Sequence, residues 1–486
     1  MKLRKVLPAP DRPMAMQLLA EGYKKHEAGD LRTAEAMYWQ ALACDPSFPD
    51  AWSLLGIIAR TCGQFTAAYV MYRRANELAP HDADHWCNIG EALGHLGRFD
   101  EALVCYEQSL AINPGGAEAL SNIATIWERD EQWDKAEQAL RRAMHLKPDH
   151  VAARINLTKL YLQKGEYAKA LDEARIAIET APMAEAHWNL SLCLLQHGLF
   201  DEGWAGYEHR WEIAAFRAMN RVVGGKPWDG SDPRGKTILV FAEQGFGDTI
   251  MFARYLKVLM KAGAEVKLLA QSALRSWIVS VGDELPKFGA CCPLMSLPYL
   301  LHGQAWADMS VIDEPYVSVP QTERSAEWHE RSQSLPGRKI GLCWAGSSAH
   351  NNDRQRSMTV DDLEPLADVP DATWVNLQLG KEDRPSFPLI DWTPDIRDFA
   401  DTAAIVDGLD LVITVDTAVA HIAGALHKPC ILLLPVASDW RWGLDRATTH
   451  WYPTLRLVRR VLGEPWKDVV GRVAATLVES AAEVAA

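Results

Sequence analysis

The chain has 486 residues, 48% of them hydrophobic and 23% charged, a soluble-globular balance on a chain too long for a single core. Its net charge of -14 disfavours a general nucleic-acid binder, which would carry a basic footprint. Nine scattered cysteines, with no CxxC pair and no zinc-type Cys/His spacing, fit a reducing, cytoplasmic setting.

Residues 1–13 read as a tail. They begin with basic residues, have no apolar segment behind them, and carry Pro8, Pro10 and Pro13, so they do not form a signal peptide. No run of 18 apolar residues occurs, and no membrane span is expected.

Residues 14–212 are repetitive. Pro46, Pro80, Pro114, Pro148 and Pro182 fall 34 residues apart. With proline at 26 of 486 positions, chance would give this register on the order of once in 10^5. Trp52-Leu55-Gly56 returns as Trp86-Ile89-Gly90 and Leu120-Ile123-Ala124, and Ala68-Tyr72-Ala75 as Ala102-Tyr106-Ser109 and Ala136-Leu140-Ala143. Gly29, Gly63, Gly97 and Gly165 mark turns. The pattern predicts pairs of amphipathic helices, with small residues at the close approach and proline ending the second helix. It resembles the tetratricopeptide (TPR) family. Five clear repeats and a degenerate sixth near Trp188 imply an α-solenoid with a concave groove.

Asn88, Asn122 and Asn156 keep the 34-residue step, and Asn189 follows at 33. A primary amide both donates and accepts, so such a ladder can grip a peptide backbone without reading its sequence. It resembles the asparagine ladder of O-GlcNAc transferases, which implies a protein acceptor in the groove. The rival account has the amides bonding between neighbouring helices and stiffening the array. Repeats one and two carry Ala20 and Leu54 instead. Trp204, Tyr207 and Trp211 share a helix face and read as an apolar seam that docks the repeats on the C-terminal half of the chain.

Residues 213–235 are rich in glycine, proline and polar residues and read as a linker. Then TILVFA, EQGFGD, a helical TIMFARYLKVLMKAG and EVKLLA form a βαβ unit that opens a lobe over 236–325. A second α/β block covers 326–464. Its strands are RKIGLCWAG, TWVNLQ, DLVITVD and KPCILLLPV; its helices are DTAAIVDGL, capped by Asp401, and TAVAHIAGAL. Residues 465–486 read as a C-terminal helix.

GFGDTI, HNNDRQRSM and VDTAVAHIAGALHKP together resemble GT-B glycosyltransferases. The nearer likeness is to ADP-heptose heptosyltransferases, and the repeats make the whole similar to bacterial TPR-linked glycosyltransferases, flagellin glycosyltransferases among them; DWRW (439–442) and WYPTLRL (451–457) look like that group. The resemblance implies a GT-B module of two Rossmann-like lobes that takes a nucleotide sugar, with no cofactor and no metal. Asp248 becomes the candidate base, capping of the next helix being its rival role. Gly245 and Gly247 would let backbone approach the donor, with Thr249 beside them; a plain tight turn is the other account. Asp416-Thr417 precede a helix whose free amides would hold the donor phosphates, with Asp416 orienting the loop and Thr417 and His421 nearby. Arg354 or Arg356, in the loop with Ser357, would neutralise the leaving phosphate, and Gln378 would reach the nucleotide base. His350 and Asp353 are too few for a metal site. Trp440 and Trp442 read as core.

The function expected is sugar transfer to Ser/Thr of a protein acceptor, flagellin being one candidate, by an inverting, metal-independent route. A non-catalytic scaffold and a saccharide or lipid acceptor are the alternatives. A homo-oligomer is left open.

Overall fold

The computed structural model describes residues 11–213, 216, 224–278, 286–314, 316–347 and 352–485. It divides into two compact units, one comprising residues up to Leu160 with 179–181, the other 161–178 with 182–486. The N-terminal ten residues, most of 214–223, His350 and Asn351 lie outside the described residues.

Helices follow the 34-residue rhythm. In the first unit α1 (Arg12–Glu27) packs on α2 (Leu31–Cys44), α3 (Pro49–Thr61) on α4 (Phe65–Leu78), α5 (Ala83–His95) on α6 (Phe99–Ile112), and α7 (Ala117–Arg129) on α8 (Trp133–Leu146). Next along the chain are α9 (Val151–Gln163) and α10 (Tyr167–Thr180), and in the second unit α11 (Ala184–Gln196) packs on α12 (Phe200–Tyr207). The sequence motif has a direct steric cause. A Cβ on Gly56 would lie 2.5 Å from the Tyr72 ring and one on Gly90 2.7 Å from Tyr106, so glycine lets each helix pair close over a buried tyrosine. The repeat tryptophans donate to the carbonyls of the repeat prolines, Trp52 Nε1 to Pro46 at 3.1 Å and Trp86 Nε1 to Pro80 at 3.0 Å. Turn positions Gly29, Gly63, Gly97 and Gly165 all take a left-handed φ of 72–78°, and Glu131 takes that place in the fourth repeat. Gly90→Ala is expected to cost about 1–2 kcal/mol, overpacking against Tyr106 outweighing the helix propensity gained. A urea midpoint unchanged from wild type would contradict this account.

The second unit holds two parallel sheets. β1 (Thr237–Phe241), β2 (Glu265–Leu269) and β3 (Ala290–Pro293) run in the order β2-β1-β3. β4 (Arg338–Cys343), β5 (Ala372–Asn376), β6 (Leu411–Val415), β7 (Cys430–Leu434) and β8 (Leu455–Arg459) run β5-β4-β6-β7-β8. Strands β6 and β7 are buried along their whole length, as continuous apolar runs flanked by helices should be. Strands β3 and β8 are not among those read from the sequence. Ala290–Pro293 is a short apolar piece without periodicity, and it pairs because β1 offers it an open edge.

Helix α13 (Phe246–Phe252) follows β1, and α14 (Leu256–Lys261) continues it after a short 3-10 turn. Further on come α15 (Leu297–Leu301), α16 (Glu323–Gln333), α17 (Asp353–Arg356), α18 (Phe399–Asp407), α19 (Ala418–Ala425) and α20 (Trp466–Ala485). The cap of α18 corrects the sequence reading. Asp398, not Asp401, accepts from the first-turn amides, while Asp401 turns inward to pair with Arg324 at 2.7 Å and to accept from Trp328 Nε1. Two residues of the same chemistry stand three apart, and burial chooses between them.

One apolar core joins the two sheets, and the aromatic seam enters it. Trp204 and Tyr207 are buried, with Trp204 edge-on to Phe252 and to Trp440. Trp211 packs instead on Leu239, Phe241 and Cys291. Trp440 and Trp442 are core residues. Within 213–235, Trp228 is buried and its amide donates to Cys291 O, so this stretch lies along β3. All nine cysteines are free thiols. Among the described residues no helix is long and apolar enough to cross a membrane.

Candidate active site

The candidate residues leave the carboxyl ends of β1, β4, β6 and β7, where parallel sheets place ligands. After β1 the chain turns through Glu243, Gln244 and Gly245 into α13. Gly245 is the N-cap, and Asp248 Oδ2 accepts from its amide at 3.0 Å. Asp248 therefore caps the helix, yet 17% of its side chain stays open. Its other oxygen is paired with Arg441. Burial pushes the Asp248 carboxyl above its ordinary range, against the pull of Arg441.

Gly247 faces α19. A Cβ there would lie 2.6 Å from His421 Cδ2, so the glycine lets α13 and α19 touch. His421 is buried, with Nδ1 2.9 Å from the Tyr452 hydroxyl. Desolvation, helped by Arg441 and Arg254, holds it neutral, well below the ordinary histidine value. Thr249 is also buried, its hydroxyl donating to Gln271 Oε1 at 3.0 Å.

After β6, Asp416 Oδ2 accepts from Trp442 Nε1 at 2.9 Å, and Thr417 is the N-cap of α19. The Thr417 hydroxyl does not cap; it lies 3.1 Å from Thr414 Oγ1. Arg356 Nη1 donates to Asp416 O at 2.9 Å, and its guanidinium lies on Gly346, where a Cβ would come within 2.4 Å of it. Ser357 Oγ accepts from Gly346 N at 2.9 Å and donates to Asp353 Oδ1 at 2.8 Å. Gln378 Oε1 accepts from the amides of Trp344 and Ala345, which binds the end of β5 to the turn after β4. Arg354, on α17, is exposed.

Arg441, on the 3-10 turn Trp440–Trp442 after β7, joins these groups. It pairs with Asp248 and, at 3.0 Å, with Asp439, and Asp416 faces it as a third carboxylate. Only 9% of its side chain is exposed, and its buried Nε has no partner among the described residues. Arg441 also lines a cavity of about 330 Å³ with Phe200, Arg446, His450 and Trp451. Neither Arg441 nor Asp439 stands out in the sequence. The available signal is a single arginine between two tryptophans in DWRW, which reads as core until its carboxylate partners are placed.

Burial, with Asp439 nearby, raises the Asp416 pKa from an ordinary 3.8 to about 6. The sign follows from proton binding. Well below pH 3.8 both folded and unfolded chains hold the proton. As pH rises towards 6 the unfolded chain releases it first, so stability falls; above 6 the penalty is constant. Asp416→Asn keeps an oxygen for Trp442 and removes the penalty. It should gain on wild type by up to about 3 kcal/mol between pH 4 and pH 6.5 in denaturant titrations. A difference that stays flat across this window would contradict the assignment.

In the first unit Asn88, Asn122 and Asn156 are half-buried. Asn122 Nδ2 reaches back to Cys87 Sγ at 3.9 Å and Asn156 Nδ2 to Ser121 Oγ at 3.2 Å, each one repeat earlier. Those bonds stiffen the array and leave the amide oxygens for other partners. Asn189, in the second unit, is 3% exposed, and its Nδ2 has no partner among the described residues.

Comparisons with known proteins agree with both parts of the chain. Tetratricopeptide repeat models match residues 83–115 and 129–191, and a model of glycosyltransferase family 9 (heptosyltransferase) matches residues 397–455. Protein FlbA of Caulobacter vibrioides is 30% identical over 325 residues, which cover 60% of this chain and 54% of FlbA; the chain thus spans about half the length of that relative. Among solved structures, MamA is 23% identical over 33% of this chain and 93% of its own, with a TM-score of 0.29. TTC0263, a thermophilic TPR protein of Thermus thermophilus, is 23% identical over 37% and 99%, with a TM-score of 0.35. Along the chain, the residues that match the tetratricopeptide models precede the segment that matches the glycosyltransferase family 9 (heptosyltransferase) model, and that matching segment contains Asp416, Thr417, His421 and Arg441.

Proposed function

We propose that this protein transfers a sugar from a nucleotide-sugar donor to Ser or Thr of a protein acceptor recruited by its repeats. The reading takes the two sheets as the lobes of a GT-B module, the second binding the donor. One observation carries it. Asp248 from the end of β1 and the Asp416-Thr417 turn from the end of β6 converge on Arg441, with part of Asp248 open to a ligand. A carboxylate thereby stands opposite a cation and a helix start, the two poles that the reaction needs.

In this reading Asp248 takes the acceptor hydroxyl proton as its oxygen bonds to the anomeric carbon. The bond from that carbon to phosphate breaks, and its electron pair leaves on the phosphate oxygen. Attack from the face opposite the nucleotide gives inversion. Thr417, the first amides of α19 and Arg356 stand on the donor side; Gly245, Gly247 and Thr249 shape the opposing turn, and Ser357 and Gln378 hold the loops between. Arg354 is the exposed cation at the rim. No resident metal or cofactor enters the scheme. Asn122 and Asn156 support a protein acceptor, because each uses its Nδ2 towards the preceding repeat and its amide oxygen can accept from a peptide backbone; Asn189 is buried and takes no part in such a ladder. The heptosyltransferase match favours a second reading, in which the acceptor is a saccharide.

Incubation with nucleotide sugars and cell lysate, followed by mass spectrometry, separates them. Glycosylated Ser/Thr peptides that vanish with Asp248→Asn support the first. Modification confined to saccharide or lipid supports the second. Nucleotide binding without turnover on any acceptor would remove the enzymatic reading and leave a scaffold.

A further inference from the structure

We infer that Arg441 is the phosphate-binding cation of this site and that, before the donor arrives, it is held as the counter-ion of Asp248, so that donor binding itself releases the base. The inference rests on the sugar-transfer reading above and assigns it a residue and a regulation.

The geometry favours Arg441 over the two arginines near β4. Arg356 is committed to Asp416 O and Asp353, and its face is covered by Gly346. Arg354 is exposed on α17. Arg441 instead bridges both halves of the site. One guanidinium nitrogen meets Asp248, another Asp439, and the buried Nε has no partner among the described residues, so donor capacity remains. The cluster is unbalanced: Asp248, Asp416 and Asp439 face one guanidinium. The Tyr207 hydroxyl also faces both Asp248 and Arg441, and His421 beside them is held neutral. Arg356 faces Asp416 from behind.

A phosphate is a stronger competitor for a guanidinium than one carboxylate oxygen, because it accepts two parallel bonds. Once Arg441 turns to the phosphate, Asp248 keeps the backbone amides of Gly245 and of its own residue but loses its cation, and the cost of its burial weighs more heavily. It then binds a proton more readily, at the moment when the acceptor hydroxyl has one to give. The proton goes to Asp248, and the electron pair of the broken carbon–oxygen bond goes to the phosphate that Arg441 holds.

The test is calorimetric titration of the full chain with UDP, ADP, GDP and CMP. For whichever nucleotide wild type binds, Arg441→Gln should weaken affinity about tenfold or more and Arg441→Lys less. Asp439→Asn, which removes a competitor for the guanidinium, should tighten it about two- to fivefold. In the transfer assay the acid limb of kcat/KM should move to higher pH in Arg441→Gln, as Asp248 loses its cation, while the acid limb of kcat, read with donor bound, stays in place. A purely structural role would shift neither limb selectively. Unchanged affinity in folded Arg441→Gln overturns the inference; where that variant does not fold, unchanged affinity in both Arg441→Lys and Asp439→Asn does so. Wild type that binds none of the four nucleotides overturns the donor reading itself.

Discussion

Asp248→Asn is expected to lower turnover by about 10^2- to 10^4-fold, the range of a lost general base. The substitution is chosen to separate chemistry from capping. Asparagine keeps an oxygen for the Gly245 amide, the bond that closes the first turn of α13 at 3.0 Å. Arg441 keeps Asp439 as a partner, so no buried cation is stranded. Asp248→Ala, by contrast, also removes the cap and adds about 0.5–2 kcal/mol of destabilisation. Asparagine that is as slow as alanine yet melts near wild type assigns the loss to the carboxylate. The wild-type profile adds a second check. The base works only when ionised, and burial lifts its pKa above the ordinary carboxylate range. Activity should therefore fall as pH drops through a value higher than that of a free aspartate. Asparagine within a few-fold of wild-type turnover would exclude Asp248 as the base.

The repeats and, apart from β3 and β8, the strands of both sheets are legible in the sequence because their signals are periodic and local. A 34-residue step, glycines opposite tyrosines, and apolar runs before glycine turns each repeat or stand next to what they act on. The turns that carry Asp248 and Asp416-Thr417 are legible for the same reason, since strand, turn and helix are contiguous. What escapes the sequence is long-range. Asp248 and Arg441 are 193 residues apart, and nothing in either neighbourhood announces the other. Gly247 reads as room for a ligand, whereas His421, far along the chain, fills the space beside it. The pair Arg210–Glu243 is hidden in the same way: Arg210 stands beside the aromatic seam and Glu243 opens the turn EQGFGD, and neither marks the other until folding buries both charges together.

That pair carries the second large effect. Arg210→Ala is expected to destabilise the second unit by about 3–5 kcal/mol, the cost of leaving a buried charge alone. Arg210 has no exposed side-chain surface, and neither has Glu243. Its guanidinium donates to both Glu243 oxygens at 2.9 and 3.2 Å, to Glu208, to Ser296 Oγ and to Tyr207 O, and it stacks on Tyr207 and Trp211. Truncation leaves Glu243 in a site where burial already favours its protonated form. The penalty should therefore shrink as pH falls, because a neutral Glu243 no longer needs its partner. Arg210→Met with Glu243→Leu, which removes both charges and refills the volume, should recover most of the loss. Stability alone would make this a structural pair. Glu243, however, stands two residues before Gly245, in a turn held also by Gln244 Nε2 to Tyr207 OH at 2.8 Å and by Gln271 Nε2 to Gln244 O at 2.6 Å. Loosening that turn moves the cap on which Asp248 sits. The recovered double variant should then regain melting temperature but not full turnover. A double variant restored in both would show that the buried ion pair serves folding alone.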